Sequence, residues 1–256
     1  MLMDDLVLSE LNRMEREYGV KILYAVQAGS RAWGFHSPKS DWDIRFIYKH
    51  SLDWYLSLEK KSDVIEKQVN EDLEISGWDL RKALNLFKKS NPSMLEWLHT
   101  KERLIADQHF CESVLPLETE LFSAVSCYYH YLSMSKSNWN KWLKGEVKSP
   151  KLSLHLLRGI LCCLWIKEHE TFPPVKFQTL YEQTVKDRRV CEDLASIVEL
   201  KKAGAEVINI TVPALYSFIE AEMEKLSRTT LTFRDHNKVP HEEINNVFRE
   251  LVKGDI

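Results

Sequence analysis

The chain of 256 residues carries 35 Lys and Arg against 38 Asp and Glu, a net charge of −3, so it shows no global bias toward nucleic acid; its length suits one large core or two smaller ones. Five cysteines, an odd number with Cys162 and Cys163 adjacent and no C-x-x-C pair, argue against a disulfide framework or a zinc site and for reduced, buried thiols. The opening MLMDDLVLSELNRME is acidic and helix-periodic, unlike a signal peptide, and no apolar run approaches membrane-spanning length; a cytoplasmic location with no membrane partner is the expectation.

In chain order, residues 4 to 18 space Leu6, Leu8, Leu11, Met14 and Tyr18 as an amphipathic helix, which Gly19 ends. Val20 to Ala28 and Asp43 to Tyr48 are apolar runs rich in β-formers, hence two strands joined by a loop containing Gly, Ser and Pro. Asp53 to Leu58 fits a short helix or a turn. Asp63 to Asn70 and Leu73 to Asp79 form strands around a tight acidic turn at Glu71-Asp72, with Leu73, Ile75 and Gly77 on one face and Glu74 and Ser76 on the other. Leu80 to Ser90 is a helix with Leu80, Ala83, Leu84 and Phe87 inward and Asp79 suited to cap it. Asn91-Pro92 starts the next helix, whose Met94, Leu95 and Leu98 suit a core.

From about residue 105 the strand signals fade. Ala124 to Gly145 is a long aromatic-rich helix, and Lys151 to His169 is apolar enough to be buried on most sides, stopping at Thr171 to Pro174. Phe177 to Asp187, Ser196 to Val207 and Pro213 to Thr229 supply further helices, and Asp235 to Gly254 a loop and a closing helix. The expected organisation is an α+β domain over 1–105 followed by a helical bundle over 106–256.

The chemistry concentrates in GSRAWGFHSPKSDWD, Gly29 to Asp43. In an extended strand Asp41, Asp43 and Arg45 share one face while Trp42, Ile44 and Phe46 take the other. Neighbouring carboxylates repel unless a cation neutralises them, and a divalent metal is the simplest such cation. Gly29 and Ser30 follow the first strand directly; a glycine admits close approach, and the next N–H groups and hydroxyl can accept phosphate oxygens. Alone, a D-x-D is usually a solvated turn and a Gly-Ser usually a loop. Their order, interval and flanking strands together match what nucleotidyl transfer from a Mg-bound nucleoside triphosphate requires.

Gly29-Ser30-x-x-x-Gly34 followed by Ser40-Asp41-x-Asp43 resembles the signature of the DNA polymerase β-like nucleotidyltransferase superfamily. With GWDLRKAL (Gly77 to Leu84) and NPSMLEWL (Asn91 to Leu98), the chain is similar to the bacterial and phage RNA-ligase-associated, RlaP-type predicted nucleotidyltransferases, strongly to about residue 100 and loosely beyond. The resemblance implies a small mixed sheet of the polymerase β palm type followed by an α-helical bundle. It also implies a third carboxylate on a strand such as Leu73 to Asp79. Glu74 is the candidate there, although such families more often carry Asp, and Asp79 competes with it. Asp41, Asp43 and Glu74 would then be both catalytic and ligands of Mg²⁺ or Mn²⁺. Arg31 or Arg45 would meet charge developing on the phosphate, with Arg45 alternatively paired to Asp43. Ser40 belongs to the phosphate motif, and Lys82 faces either the triphosphate or solvent. Lys151 and Arg158, seven apart on one face of an apolar helix, need an anion, whether substrate phosphate or a structural carboxylate. Similar positions in the subfamily favour phosphate for Arg158. The implied partner is a nucleoside triphosphate. The acceptor is an RNA end by association with RNA ligases, while a protein side chain or a small molecule fits the same residues. A non-catalytic nucleotide-binding or antitoxin-like module is the rival, against which all three carboxylate positions are filled.

Overall fold

The computed structural model describes residues 3–59, 61–145, 148–229 and 241–254, so the loop expected from residue 235 lies, up to residue 240, outside the described residues. The chain divides into two compact units. The first comprises the chain up to Ala32, Asp41–Phe122 and the C-terminal helix; the second comprises Trp33–Ser40 and the helices that follow Ser123. The boundary expected at 105 falls inside the first unit.

The first unit contains α1 (Met3–Tyr18), β1 (Lys21–Gln27), α2 (Gly29–Trp33) except its last residue, β2 (Trp42–Lys49), α3 (Leu52–Leu56), β3 (Val64–Asn70) and β4 (Leu73–Asp79). It continues with α4 (Leu80–Lys88), α5 (Pro92–His99), β5 (Arg103–Ala106), α6 (Gln108–Val114), α7 (Glu118–Leu121) and, from the far end of the chain, α13 (His241–Lys253). Its five strands form one mixed sheet in the order β3-β4-β2-β1-β5. β2 is parallel to β4, and the other neighbouring pairs are antiparallel. Asp53 to Leu58, ambiguous in sequence, opens within the helix α3. β5 has only four residues, too few for an alternating pattern, and is defined by its pairing with β1.

α1 buries Val7, Leu11 and Met14 against this sheet, spaced four and three residues apart, whereas Leu8 is 37% exposed and Tyr18 41%. The inner stripe thus runs one residue away from the expected one at its start. Beneath it lie Ile22, Ile44, Phe46, Leu73 and Ile75. Gly77 completes that face of β4: a Cβ there would sit 2.3 Å from the Phe46 ring, so only glycine leaves the ring room. α4 and α5 bury the residues their spacing indicated, and Trp97 of α5 stacks on Trp78 at 3.9 Å. α13 is held by Lys49, 6% exposed, whose Nζ donates to the Leu251 carbonyl at 2.8 Å. A cation suits a helix C-terminus, where carbonyls lack intrahelical donors.

The second unit contains α8 (Ala124–Lys144), α9 (Pro150–His169), α10 (Phe177–Thr184), α11 (Arg188–Lys202) and α12 (Pro213–Arg228). α9 is its centre, touching each of the other four and burying a nearly continuous apolar surface from Leu154 to Ile166. Cys162 and Cys163 are buried free thiols within it. α8 packs closely on α9 because Gly159 faces Ser135, where an added Cβ would meet the Ser135 hydroxyl at 2.3 Å. No described helix is long and apolar enough to cross a membrane.

Candidate active site

Parallel pairing of β2 with β4 sets Asp43 opposite Glu74, two carboxylates that lie far apart in sequence. Both are partly open to solvent, with side chains 29% and 44% exposed. Arg45, two residues along β2 on the Asp43 face, joins them: Nη2 lies 3.1 Å from Asp43 Oδ1 and Nη1 2.9 Å from Glu74 Oε1. Of the two roles open to Arg45, the geometry realises the ion pair with Asp43 and extends it to Glu74.

Gly29 lies directly against Asp43. Its φ is +63°, a conformation costly for residues with a Cβ, and an added Cβ would stand 2.3 Å from Asp43 Oδ2. The strand end is pinned by the Ala28 amide, which donates to the Asp43 carbonyl at 2.8 Å. Gly29 and Ser30 therefore begin α2 beside the carboxylates, in a first turn whose N–H groups have no acceptor within the helix. Arg31 Nε donates to the Asp41 carbonyl at 3.3 Å, and its guanidinium lies 4.0 Å over the Trp42 ring. Desolvation lowers the Arg31 pKa, while Asp41, Asp43 and Asp72 pull it back up. Asp41 itself precedes β2 and is exposed.

The donors Asp41, Asp43 and Glu74 are all oxygen ligands of the kind hard divalent cations take, and the pair already attracts a positive group in Arg45. The residues thus fit such an ion in type, and Asp43 and Glu74 fit it in register. Among the described residues, no three His, Cys, Asp or Glu side chains converge as a ready metal-holding group.

Asp79 stands at the other end of β4, about 16 Å from Glu74 at 3.3 Å per residue, and Lys82 lies in the first turn of α4 that follows it. Asp79 caps α4, accepting from the Arg81 amide at 2.9 Å, and also accepts from the Tyr55 hydroxyl at 2.7 Å. It is 1% exposed, and burial raises its pKa against the pull of those two donors. Lys82 pairs with Asp63 at 2.9 Å.

The rest of the loop belongs to the second unit. Phe35 is buried edge-on to Phe177, with ring centroids 5.5 Å apart, and Trp33 meets His155 at 5.1 Å. The Ser40 hydroxyl accepts from the Ser37 amide at 2.9 Å and from Lys201 Nζ at 3.3 Å. Lys201 carries no sequence signal, being one of two adjacent lysines at an ordinary helix end. Arg158, 3% exposed, donates to the Val175 carbonyl at 3.0 Å and lies 4.8 Å from the Trp33 ring centroid. Lys151 is exposed at the start of α9.

Residues 3–250 match the family model described as RlaP, RNA repair pathway DNA polymerase beta family. An uncharacterized protein of Bacillus subtilis (strain 168), YcgL, is 38% identical over 248 residues, 96% of this chain and 95% of that protein. A crystal structure of a nucleotidyltransferase-like protein from Exiguobacterium sibiricum 255-15 aligns with a TM-score of 0.32 at 10% identity, covering 94% of this chain and 86% of that one.

Proposed function

The chain belongs to the RNA repair pathway DNA polymerase β family, and from that premise we propose that it transfers a nucleoside monophosphate from a nucleoside triphosphate to the hydroxyl of an RNA end, releasing pyrophosphate. The observation that carries this reading is the contact of a Cβ-free Gly29 with Asp43, itself in register with Glu74. A phosphate cradle and a carboxylate pair then share one spot, as transfer at a phosphorus centre needs.

Asp41, Asp43 and Glu74 would hold Mg²⁺ or Mn²⁺, which when bound neutralises triphosphate charge and lowers the pKa of the attacking hydroxyl. The backbone of Gly29 and Ser30 receives phosphate oxygens, and the bare Cα of Gly29 lets them approach the carboxylates. Arg45 keeps Asp43 and Glu74 side by side by offsetting their repulsion. Arg31, oriented by the Asp41 carbonyl and the Trp42 ring, would meet negative charge growing on the non-bridging oxygens. The acceptor oxygen attacks the α-phosphorus in line as its proton leaves, and the bond to the β-phosphate bridge breaks.

The test is transfer from each α-³²P-labelled nucleoside triphosphate to a pool of RNA and to the protein itself, with and without Mg²⁺, alongside Asp41→Ala and Asp43→Ala. Label is expected on RNA in the presence of metal and absent from both variants. Label confined to the protein would replace the RNA acceptor, and failure to bind any triphosphate would overturn the transferase.

A further inference from the structure

We propose that the exposed face of α8 is a binding surface for single-stranded RNA. It deepens the transferase reading, from which the choice of RNA follows, but the surface stands on its own observations. From Ser123 to Lys167 the chain carries six lysines besides the buried Arg158 and a single carboxylate, Glu146, although the whole molecule has a net charge of −3. α8 itself holds Lys136, Lys141 and Lys144 and no Asp or Glu at all. All three lysines are exposed.

The contrast with α11 and α12 shows that this is not ordinary surface charge. There the cations meet carboxylates one turn away: Arg188 meets Glu192 at 2.8 Å, Lys202 meets Glu199 at 3.0 Å and Arg228 meets Glu224 at 2.7 Å. On α8, among the described residues, none of the three lysines forms an ion pair. A row of like charges without counter-charges repels itself and attracts a polyanion.

The same face carries apolar surface of a kind that bases can cover. Val125, Tyr129, Lys136 and Leu143 recur at intervals of four and seven residues, one stripe of a helix, and Tyr129 and Leu143 are 41% and 53% exposed. The exposed Tyr129 ring, two turns from Lys136 on that stripe, offers a stacking platform for an unpaired base, which a duplex would keep inside its own stack. Charge complementarity therefore names a nucleic-acid strand, and the accessible ring favours a single strand.

The experiment is fluorescence anisotropy of a labelled oligouridylate with the full-length protein across a salt series. Variants are Lys136→Glu/Lys141→Glu/Lys144→Glu, the corresponding triple Arg substitution, and Lys202→Glu as a control from a paired helix. The Glu variant is expected to lose about tenfold or more in affinity and to lower the salt slope by about 2, near 0.7 per phosphate contact for a single strand. The Arg variant, which keeps the charge, and the control should bind as the parent does. Thermal melts of the same samples separate lost binding from lost fold, and if the triple Glu variant melts early, Lys136→Glu alone, expected to weaken binding and to lower the salt slope by about 0.7, carries the same test. Equal RNA binding by parent and Glu variant, or no RNA binding by the parent, would overturn the surface. Tighter binding to duplex DNA or to anionic phosphatidylserine vesicles than to RNA would overturn the assignment of its occupant. Triphosphate binding, measured on the same proteins, reports the transferase separately: the α8 variants should retain it, and its absence from the parent would sink the transferase while leaving RNA binding to stand or fall by the anisotropy.

Discussion

The two ends of the paired strands β2 and β4 both carry carboxylates, and they do opposite things with them. At one end Asp43 and Glu74 face each other with side chains 29% and 44% exposed, bridged by Arg45, with Gly29 against Asp43. At the other, Asp79 lies opposite Tyr48, 1% exposed, with the Arg81 amide and the Tyr55 hydroxyl as donors. An acid whose oxygens are taken up by a helix cap and a phenol is committed to the fold. An acid left half in solvent beside another acid and a glycine is available to a ligand. Burial and backbone donors, rather than residue type, separate structural from functional carboxylates here.

Substitutions at the two ends should therefore fail in different ways. The largest effect is expected from Asp43→Ala, which removes a donor worth several kcal/mol to the transition state, a fall in transfer on the order of 10³-fold. Its melting temperature should hold or rise, because one of two repelling carboxylates is gone. A matching loss of stability would place Asp43 with the structural acids. Gly29→Ala comes next: a Cβ at φ +63° must displace the Asp43 carboxylate, and a misplacement of about an ångström costs about 10²-fold in rate. Triphosphate titration and transfer kinetics read this out, and an unimpaired Gly29→Ala enzyme would separate the glycine from the site.

Asp79→Ala reverses the pattern. Loss of the α4 cap and of the Tyr55 partner should destabilise the protein by about 2 kcal/mol in chemical denaturation, with transfer per folded molecule unchanged. A rate loss beyond the folded fraction would return Asp79 to the competition for the third carboxylate. Tyr55→Phe, which removes one donor to a buried acid, should cost about 1 kcal/mol and leave activity alone.

The smallest effect concerns His50, just past β2 at the buried end, stacked on Trp54 at 3.8 Å. Burial, helped by Lys61, lowers its pKa to about 4, so the fold favours the neutral ring. The sign follows: its contribution is fully present above the unfolded value near 6.5 and is lost as pH falls from there toward 4. The melting temperature of the parent protein should fall across that window more steeply than that of His50→Gln. Parallel curves would show that this end of the sheet is open to water.

Local signals were strong enough to be read directly from the chain. The cap at Asp79, the helix start at Asn91-Pro92, the inner stripe of α4 and the apolar run of α9 depend on neighbours within a turn or two, and each stands where its pattern indicates. The motif from Gly29 to Asp43 is likewise contiguous in sequence, but that its Trp33–Ser40 segment joins the second unit was not legible. Nor was the four-residue strand β5, because it exists only through its pairing with β1. The return of α13 to the first unit was not legible either, since it depends on Lys49 reaching Leu251. Above all, nothing local says that Asp43 should face Glu74 rather than Asp79. Parallel pairing of two strands separated by β3 decides that, because register is set by the summed burial of both strands and a slip of one residue would turn each side chain to the wrong face.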